Sequence, residues 1–189
     1  MIISFGGAPG SGKSTIAQRL ADKLGWPRYY MGGMWREISQ KRGLTLVEGL
    51  KHGEADPVTD KEIDDYQAEL GKNEDNFVVE GRTSWYFIPN SLKIYLDVSG
   101  EEGAKRIFGS LQKGNFRNED HDLSSWGKVM SSNKERMETD RIRYSKYYKV
   151  GVFDPKNFDF YLDTTNLTPD QVFEAVYERV KQELDNRKN

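Results

Sequence analysis

The chain has 189 residues, of which 36% are hydrophobic and 31% charged, with a formal net charge of -2. That suffices for one well-packed domain, is too short for two large ones, and carries the wrong charge for a protein that coats nucleic acid. With no cysteine, disulfides, thiolate nucleophiles and thiolate-bound zinc or iron–sulfur clusters are excluded.

In chain order, Ile2–Phe5 is a short β-branched run that precedes a glycine-rich stretch. The opening MIISFGG therefore reads as a strand and not as a signal peptide, and no apolar run approaches the ~18 residues of a membrane span. The expectation is a cytoplasmic, monomeric protein. Ile16, Leu20 and Leu24 recur every four residues, one buried helix face closed by Gly25. WPRYYMGG reads as a short strand ending in a turn, and MWREISQKRG as a helix closed by Gly43. Two further helical patterns, TLVEGLKHGEAD and TDKEIDDYQAELG, are broken at Asp56-Pro57. NFVVEGR and LKIYLDV are compact β-rich runs suited to buried parallel strands. A helix over Glu101–Leu111, a polar loop over Gln112–Ser125 and a long polar helix over Gly127–Tyr148 follow. FDFYLDTTN supplies a last strand, and Thr168-Pro169-x-Gln171 opens a final helix with a cap, a first-turn proline and a capping-box glutamine. Strands alternating with helices predict a parallel sheet with right-handed crossovers and helices on both faces.

GGAPGSGKST, residues 6–15, carries the chemistry. It holds Gly7-x4-Gly12-Lys13-Ser14 between a strand and a helix, the context that marks a phosphate loop. The loop of Gly7, Ala8, Pro9, Gly10, Ser11, Gly12, Lys13, Ser14 and Thr15 suits a triphosphate through its backbone N–H groups, which all but Pro9 possess. Glycine allows close approach, and the helix N-terminus adds partial positive charge. Lys13 is placed for the β- and γ-phosphates and the Ser14 hydroxyl for Mg²⁺. The loop predicts ATP and says nothing of what receives a phosphoryl group. A phosphorylated acceptor would need guanidinium groups from separate elements, because arginine grips phosphate in a bidentate fork. Arg36 follows the second strand, and Arg82 follows the third at the carboxyl edge where open α/β sheets bind ligands. On the long helix Arg136 and Arg143 stand seven residues apart and share one face, which Arg141 leaves.

Several stretches in this order resemble the P-loop nucleoside monophosphate kinases, and within them the cytidylate kinase group, particularly its short archaeal-type branch. They are GGAPGSGKSTIAQRLADKLG, GGMWREISQKRGLTL, DPVTDKEIDDYQAEL, FVVEGRTSW, LKIYLDV, RIRYSKYY and FYLDTTNLTPDQV. The resemblance implies a three-layer α/β/α P-loop fold with a five-stranded parallel sheet. It adds acceptor-binding helices over about residues 31–73 and a lid over about 112–140. It implies transfer of the ATP γ-phosphate to CMP or dCMP with Mg²⁺. By the same likeness Arg36 and Arg82 grip the acceptor phosphate, Glu80 supports the Mg²⁺ shell, and Arg106 stacks on adenine. Arg136 belongs to the lid, and Arg143, beside Tyr144, to the phosphates of both substrates; Lys13, Arg136 and Arg143 form the catalytic set. Cytosine offers an amino donor and calls for a carboxylate. Asp56, Asp60 and Asp64 are the candidates, with Asp60 favoured and Thr83 and Ser84 beside the ring. Two departures stand out: the lid segment SLQKGNFRNEDHDLSSW is longer than expected, and RTSWYF replaces the GRD pattern of the larger bacterial enzymes.

Two rival readings stand beside this one: adenylate kinase or another monophosphate kinase of the same fold, and a nucleotide-switched assembly ATPase. Arg36 and Arg82 separate the second, since hydrolysis onto water needs neither. His52 and His121, in polar segments without ligand partners, read as surface residues. RIRYSKYYK mixes basic and aromatic residues as a single-strand platform does, but its helical placement and the net acidity favour a lid.

Overall fold

A computed structural model of the protein describes residues 1–55, 58–114, 120 and 122–188, with only the backbone of residues 53–55 and 58–60. Five strands make one parallel sheet in the order β2-β3-β1-β4-β5. They are β1 (Ile2–Gly7), β2 (Arg28–Tyr30), β3 (Phe77–Glu80), β4 (Leu92–Asp97) and β5 (Phe160–Asp163). The alternating pleat of the central strands feeds two cores. Ile3 and Phe5 of β1 and Val78 of β3 pack under α1 (Lys13–Leu24) and α8 (Pro169–Asn186). Ile2, Phe77 and Val79 pack on the other face, against α2 (Met31–Lys41), α3 (Leu46–Ala55) and α4 (Val58–Asn73). Strands buried on both faces read as continuous apolar runs, and FVV is one.

Helix α6 (Gly100–Gln112) and α7 (Trp126–Tyr148) form a third, smaller core through Ala104, Ile107 and Val129. Their amino ends are capped by Ser99 and Ser125. The capping box at α8 forms as the sequence indicates: the Thr168 side chain accepts from Gln171 N and Gln171 Oε1 accepts from Thr168 N.

Two local features differ from the sequence reading. Gly32 and Gly33 lie inside α2 and not in a turn before it. Their bare Cα atoms seat the Tyr30 ring, which an added Cβ would approach within 2.9 and 2.8 Å. A four-residue helix, α5 (Ser84–Phe87), follows Arg82, too short to carry a periodic signal.

The carboxyl ends of β1 and β3, neighbours in the middle of the sheet, therefore open on one side. Glycine-rich loop and Arg82 emerge there next to each other, at the place where an open α/β sheet holds ligands. No described helix is long and apolar enough to cross a membrane.

Candidate active site

A cleft of about 550 Å³ runs from the glycine-rich loop, across the carboxyl ends of β1 and β3, to the helices α2–α4 and α7. Pro9 through Thr15 line its loop end; Gly7 and Ala8 stand behind the wall, with Ala8 N donating to Leu96 O at 3.1 Å. Two glycines shape the loop. Gly10, at φ 81°, lies so close to Gly103 of α6 that an added Cβ would fall 2.3 Å from its carbonyl oxygen. Gly12, at φ 87°, is the left-handed residue from which α1 starts. No side chain caps α1 and no acid lies in its first turn, so its amino end faces the cleft ready for an anion.

Lys13 Nζ donates to Ala8 O at 2.9 Å, bending back across the loop. Ser14 Oγ donates to Glu80 Oε2 at 2.6 Å, and Glu80, at the end of β3, also accepts from Arg28 Nε at 2.7 Å. Glu80 is buried but lines the cleft, so a hydroxyl and a carboxylate oxygen meet at the loop's end. Ser11 Oγ is also buried and has no hydrogen-bond partner among the described residues.

The opposite half is built from side chains. Arg82 Nε donates to Asp140 Oδ2 at 2.8 Å, and its Nη1 donates to Gly7 O, the carbonyl at the foot of the loop. Arg143 Nη2 donates to Asp140 Oδ1 at 2.9 Å and to Tyr144 Oη at 2.9 Å, while its Nη1 donates to Leu50 O at 3.3 Å. Its guanidinium faces the Trp35 ring at 5.2 Å. Asp140 and Arg143 are each 1% exposed, so one buried carboxylate fixes two guanidinium groups from different elements beside the cleft. Arg36 comes from α2, where its Nη1 donates to Tyr30 Oη and to Gly32 O. All three arginines line the same cleft as the loop.

Past them, Asp64, Gln67 and Thr83 are buried around the far wall. Thr83 Oγ1 donates to Asp64 Oδ1 at 3.0 Å, Gln67 Nε2 donates to the same oxygen at 3.0 Å, and Tyr148 Oη donates to Asp64 Oδ2 at 2.5 Å. Burial pushes the Asp64 carboxyl up to about 6, against the pull of the Tyr148 and Thr83 hydrogen bonds and of Arg143. Asp60 stands one turn earlier on α4, its side chain outside the described residues, as are Asp56 and His121 entirely.

Arg106 also lines the cleft. Its Nε donates to Glu102 Oε1 at 2.8 Å and its Nη2 to Thr164 O at 2.8 Å, which holds the guanidinium plane against the β5–α8 turn. Arg136, half-buried on α7, lines the cleft too. Arg141 is exposed and paired with Glu138 at 2.6 Å, away from the cleft. Among the described residues no cluster of three His, Cys, Asp or Glu side chains could hold a metal by itself. His52 is exposed on α3.

Asp140, Gln67 and Tyr148 are absent from the sequence reading. A signal for Asp140 exists: it lies three residues before Arg143, an i, i+3 pair on a face that already carries Arg136. Tyr148 gives none, since its partner is 84 residues away.

A family model described as an AAA domain matches residues 6–122. Cytidylate kinase of Pyrococcus furiosus is 33% identical over 93% of this chain and 86% of its own length. Cytidylate kinase of Archaeoglobus fulgidus is 30% identical over 96% and 95%. Among solved structures, shikimate kinase from Bacteroides thetaiotaomicron superposes with a TM-score of 0.59 over 98% of each chain at 15% identity, a likeness of fold alone. With the glycine loop, the sheet order and relatives of this similarity along nearly its whole length, the chain belongs to the cytidylate kinase family.

Proposed function

We propose that the protein transfers the γ-phosphoryl group of ATP to CMP, and to dCMP, releasing ADP and CDP or dCDP. One observation carries the reading: the anion nest and three guanidinium groups from α2, the end of β3 and α7 line a single cleft. A nucleotide-switched ATPase that hydrolyses onto water has no use for the second group of cations.

The chemistry asks little of the protein beyond position and charge. An oxygen of the acceptor phosphate attacks the γ-phosphorus in line, and the bond to the β–γ bridging oxygen breaks, leaving with ADP. The attacking oxygen is already anionic, so no general base is needed. Lys13 and the loop N–H groups hold the transferring phosphates. Arg36 and Arg82 hold the acceptor phosphate, while Arg136 and Arg143 offset charge around the migrating group. Arg106 faces the adenine end. The helices α2–α4 serve as the acceptor-binding region, and residues of about 112–140, of which 115–119 and 121 lie outside the described residues, as the lid that excludes water.

The meeting of Ser14 Oγ with Glu80 Oε2 fits a hard, oxygen-liking cation that takes its remaining ligands from phosphate and water. Ser14 would hold Mg²⁺ directly and Glu80 would support its shell. When bound, the ion neutralises charge on the triphosphate.

ADP release measured with ATP and each of CMP, dCMP, UMP, AMP and dTMP tests the proposal. CMP and dCMP stimulate turnover far above the ATP-only rate. A rate indifferent to every monophosphate overturns it, and stimulation by AMP alone transfers the reading to adenylate kinase.

A further inference from the structure

One group of residues lining the cleft differs in chemistry from the rest. Trp35, Leu46, Leu50 and Ile63 are apolar and pack in one cluster, and the polar groups beside them form one directional chain. Ser84 Oγ donates to Gln67 Oε1 at 2.6 Å, which turns the Gln67 amide so that Nε2 points at Asp64 Oδ1. Thr83 donates to that oxygen as well, and Tyr148 to the other. Among the described residues every partner on the carboxylate is a donor, so the chain of hydrogen bonds ends in a pure acceptor. An ionised carboxylate offers about four lone-pair directions, and the described residues use three. An apolar lining with a few convergent polar groups is the kind of pocket that takes a small ring system.

We infer that Asp64, held by Gln67, Thr83 and Tyr148, is the group that reads the acceptor's base, accepting a hydrogen bond from the exocyclic amine of cytosine. The assignment rests on the CMP kinase reading and refines it. An acceptor-only terminus favours a ring edge bearing an amine and opposes one bearing a carbonyl. Uracil, with oxygen in place of the amine, sets one acceptor against another in a buried site, and that mismatch gives discrimination through repulsion as well as lost attraction. Tyr148 makes the same carboxylate report on α7, so the seat for the base and the helix carrying Arg136 and Arg143 are joined by one hydrogen bond.

The experiment compares kcat/KM for CMP, UMP and the monophosphate of pyrimidin-2-one riboside, which is cytidine without its amine. All three share the phosphate and ribose, so differences report the ring edge. In the wild-type protein, UMP and the amine-free analogue fall below CMP by roughly 10- to 100-fold, with the loss mainly in KM. In Asp64→Asn the ratio of CMP to the analogue collapses toward one, because the amide no longer supplies a fixed acceptor. Equal use of CMP and the amine-free analogue by the wild type overturns the assignment, a result that does not depend on the variant folding. So does an Asp64→Asn protein that folds and keeps the wild-type ratio. If no monophosphate is phosphorylated at all, the kinase reading itself has failed, which the wild-type CMP rate alone reveals.

Discussion

The two halves of the cleft are made in opposite ways. The proposed ATP end is main chain: one contiguous segment, Pro9 to Thr15, lines it together with the start of α1. The proposed acceptor end is side chain: Arg36, Arg82, Arg143, Asp64 and Asp140 come from α2, the end of β3, α7 and α4. A backbone nest is set by local dihedrals and tolerates changes around it. A side-chain constellation depends on carboxylates such as Asp140, 1% exposed, to hold each guanidinium in place. The first construction suits a group shared by every ATP-using relative, and the second suits selection of one acceptor.

Substitutions in the two halves should therefore split cleanly, and the largest effect is expected at the loop. Lys13→Ala removes the cation proposed to hold the transferring phosphates and lowers kcat by about 10²–10³-fold with every acceptor. A variant that keeps wild-type turnover breaks the assignment of the loop to catalysis.

Next comes the buried carboxyl of the acceptor half. Burial raises the Asp64 carboxyl to about 6, outweighing the hydrogen bonds from Tyr148 and Thr83 and the charge of Arg143, while the neighbouring Asp65 adds to the rise. A carboxyl raised above its ordinary 3.8 binds its proton more tightly folded than unfolded. The stabilisation is complete below about 3.8 and lost as pH rises through about 6, a swing of about 3 kcal/mol. Denaturant unfolding at a series of pH values checks it: the wild type loses stability over that window relative to Asp64→Asn, and parallel curves remove the account of a costly buried charge.

Arg82→Ala should then raise KM for CMP by about 10- to 100-fold, the loss of a charge-assisted contact, and move KM for ATP much less. Equal losses for the two substrates mean that Arg82 serves the loop through its bond to Gly7 O and not the acceptor. Asp140→Asn is smaller still. Its amide keeps one acceptor for the two guanidinium groups that now share a carboxylate, and KM for CMP rises about tenfold, measured against an ATP value that stays close to wild type. An unchanged KM for CMP would show that Arg82 and Arg143 orient themselves without it.

The same division explains what the sequence reveals. The loop is legible because its glycines, Lys13 and Ser14 are neighbours in the chain and sit between an apolar strand and an amphipathic helix. The five strands and most helices are legible for a similar reason, since burial leaves periodic apolar runs and caps such as Thr168 leave local patterns. Arg82 is legible from its place after β3. Its pairing with Asp140 is not, since 58 residues separate the two and Asp140 signals only its i, i+3 spacing to Arg143; nor is the meeting of Tyr148 with Asp64 across 84. In a solvated-looking helix such as α7 the clue to which charge is buried is spacing alone, the face that Arg136 and Arg143 share and Arg141 leaves. Arg143 and Arg141 stand two residues apart, yet one is 1% exposed and the other lies in solvent. Gly32 and Gly33 mislead because their signal is that of a turn, while their use is to make room for Tyr30.

The central claim is that both halves work on two nucleotides held at once. A bisubstrate ligand, adenosine and cytidine joined 5′ to 5′ through five phosphates, tests it most directly by titration calorimetry and inhibition kinetics. The account predicts one ligand per chain, affinity well above that of ATP or CMP alone, and competition against both substrates. Competition against ATP only, with CMP binding unaffected, would contradict it.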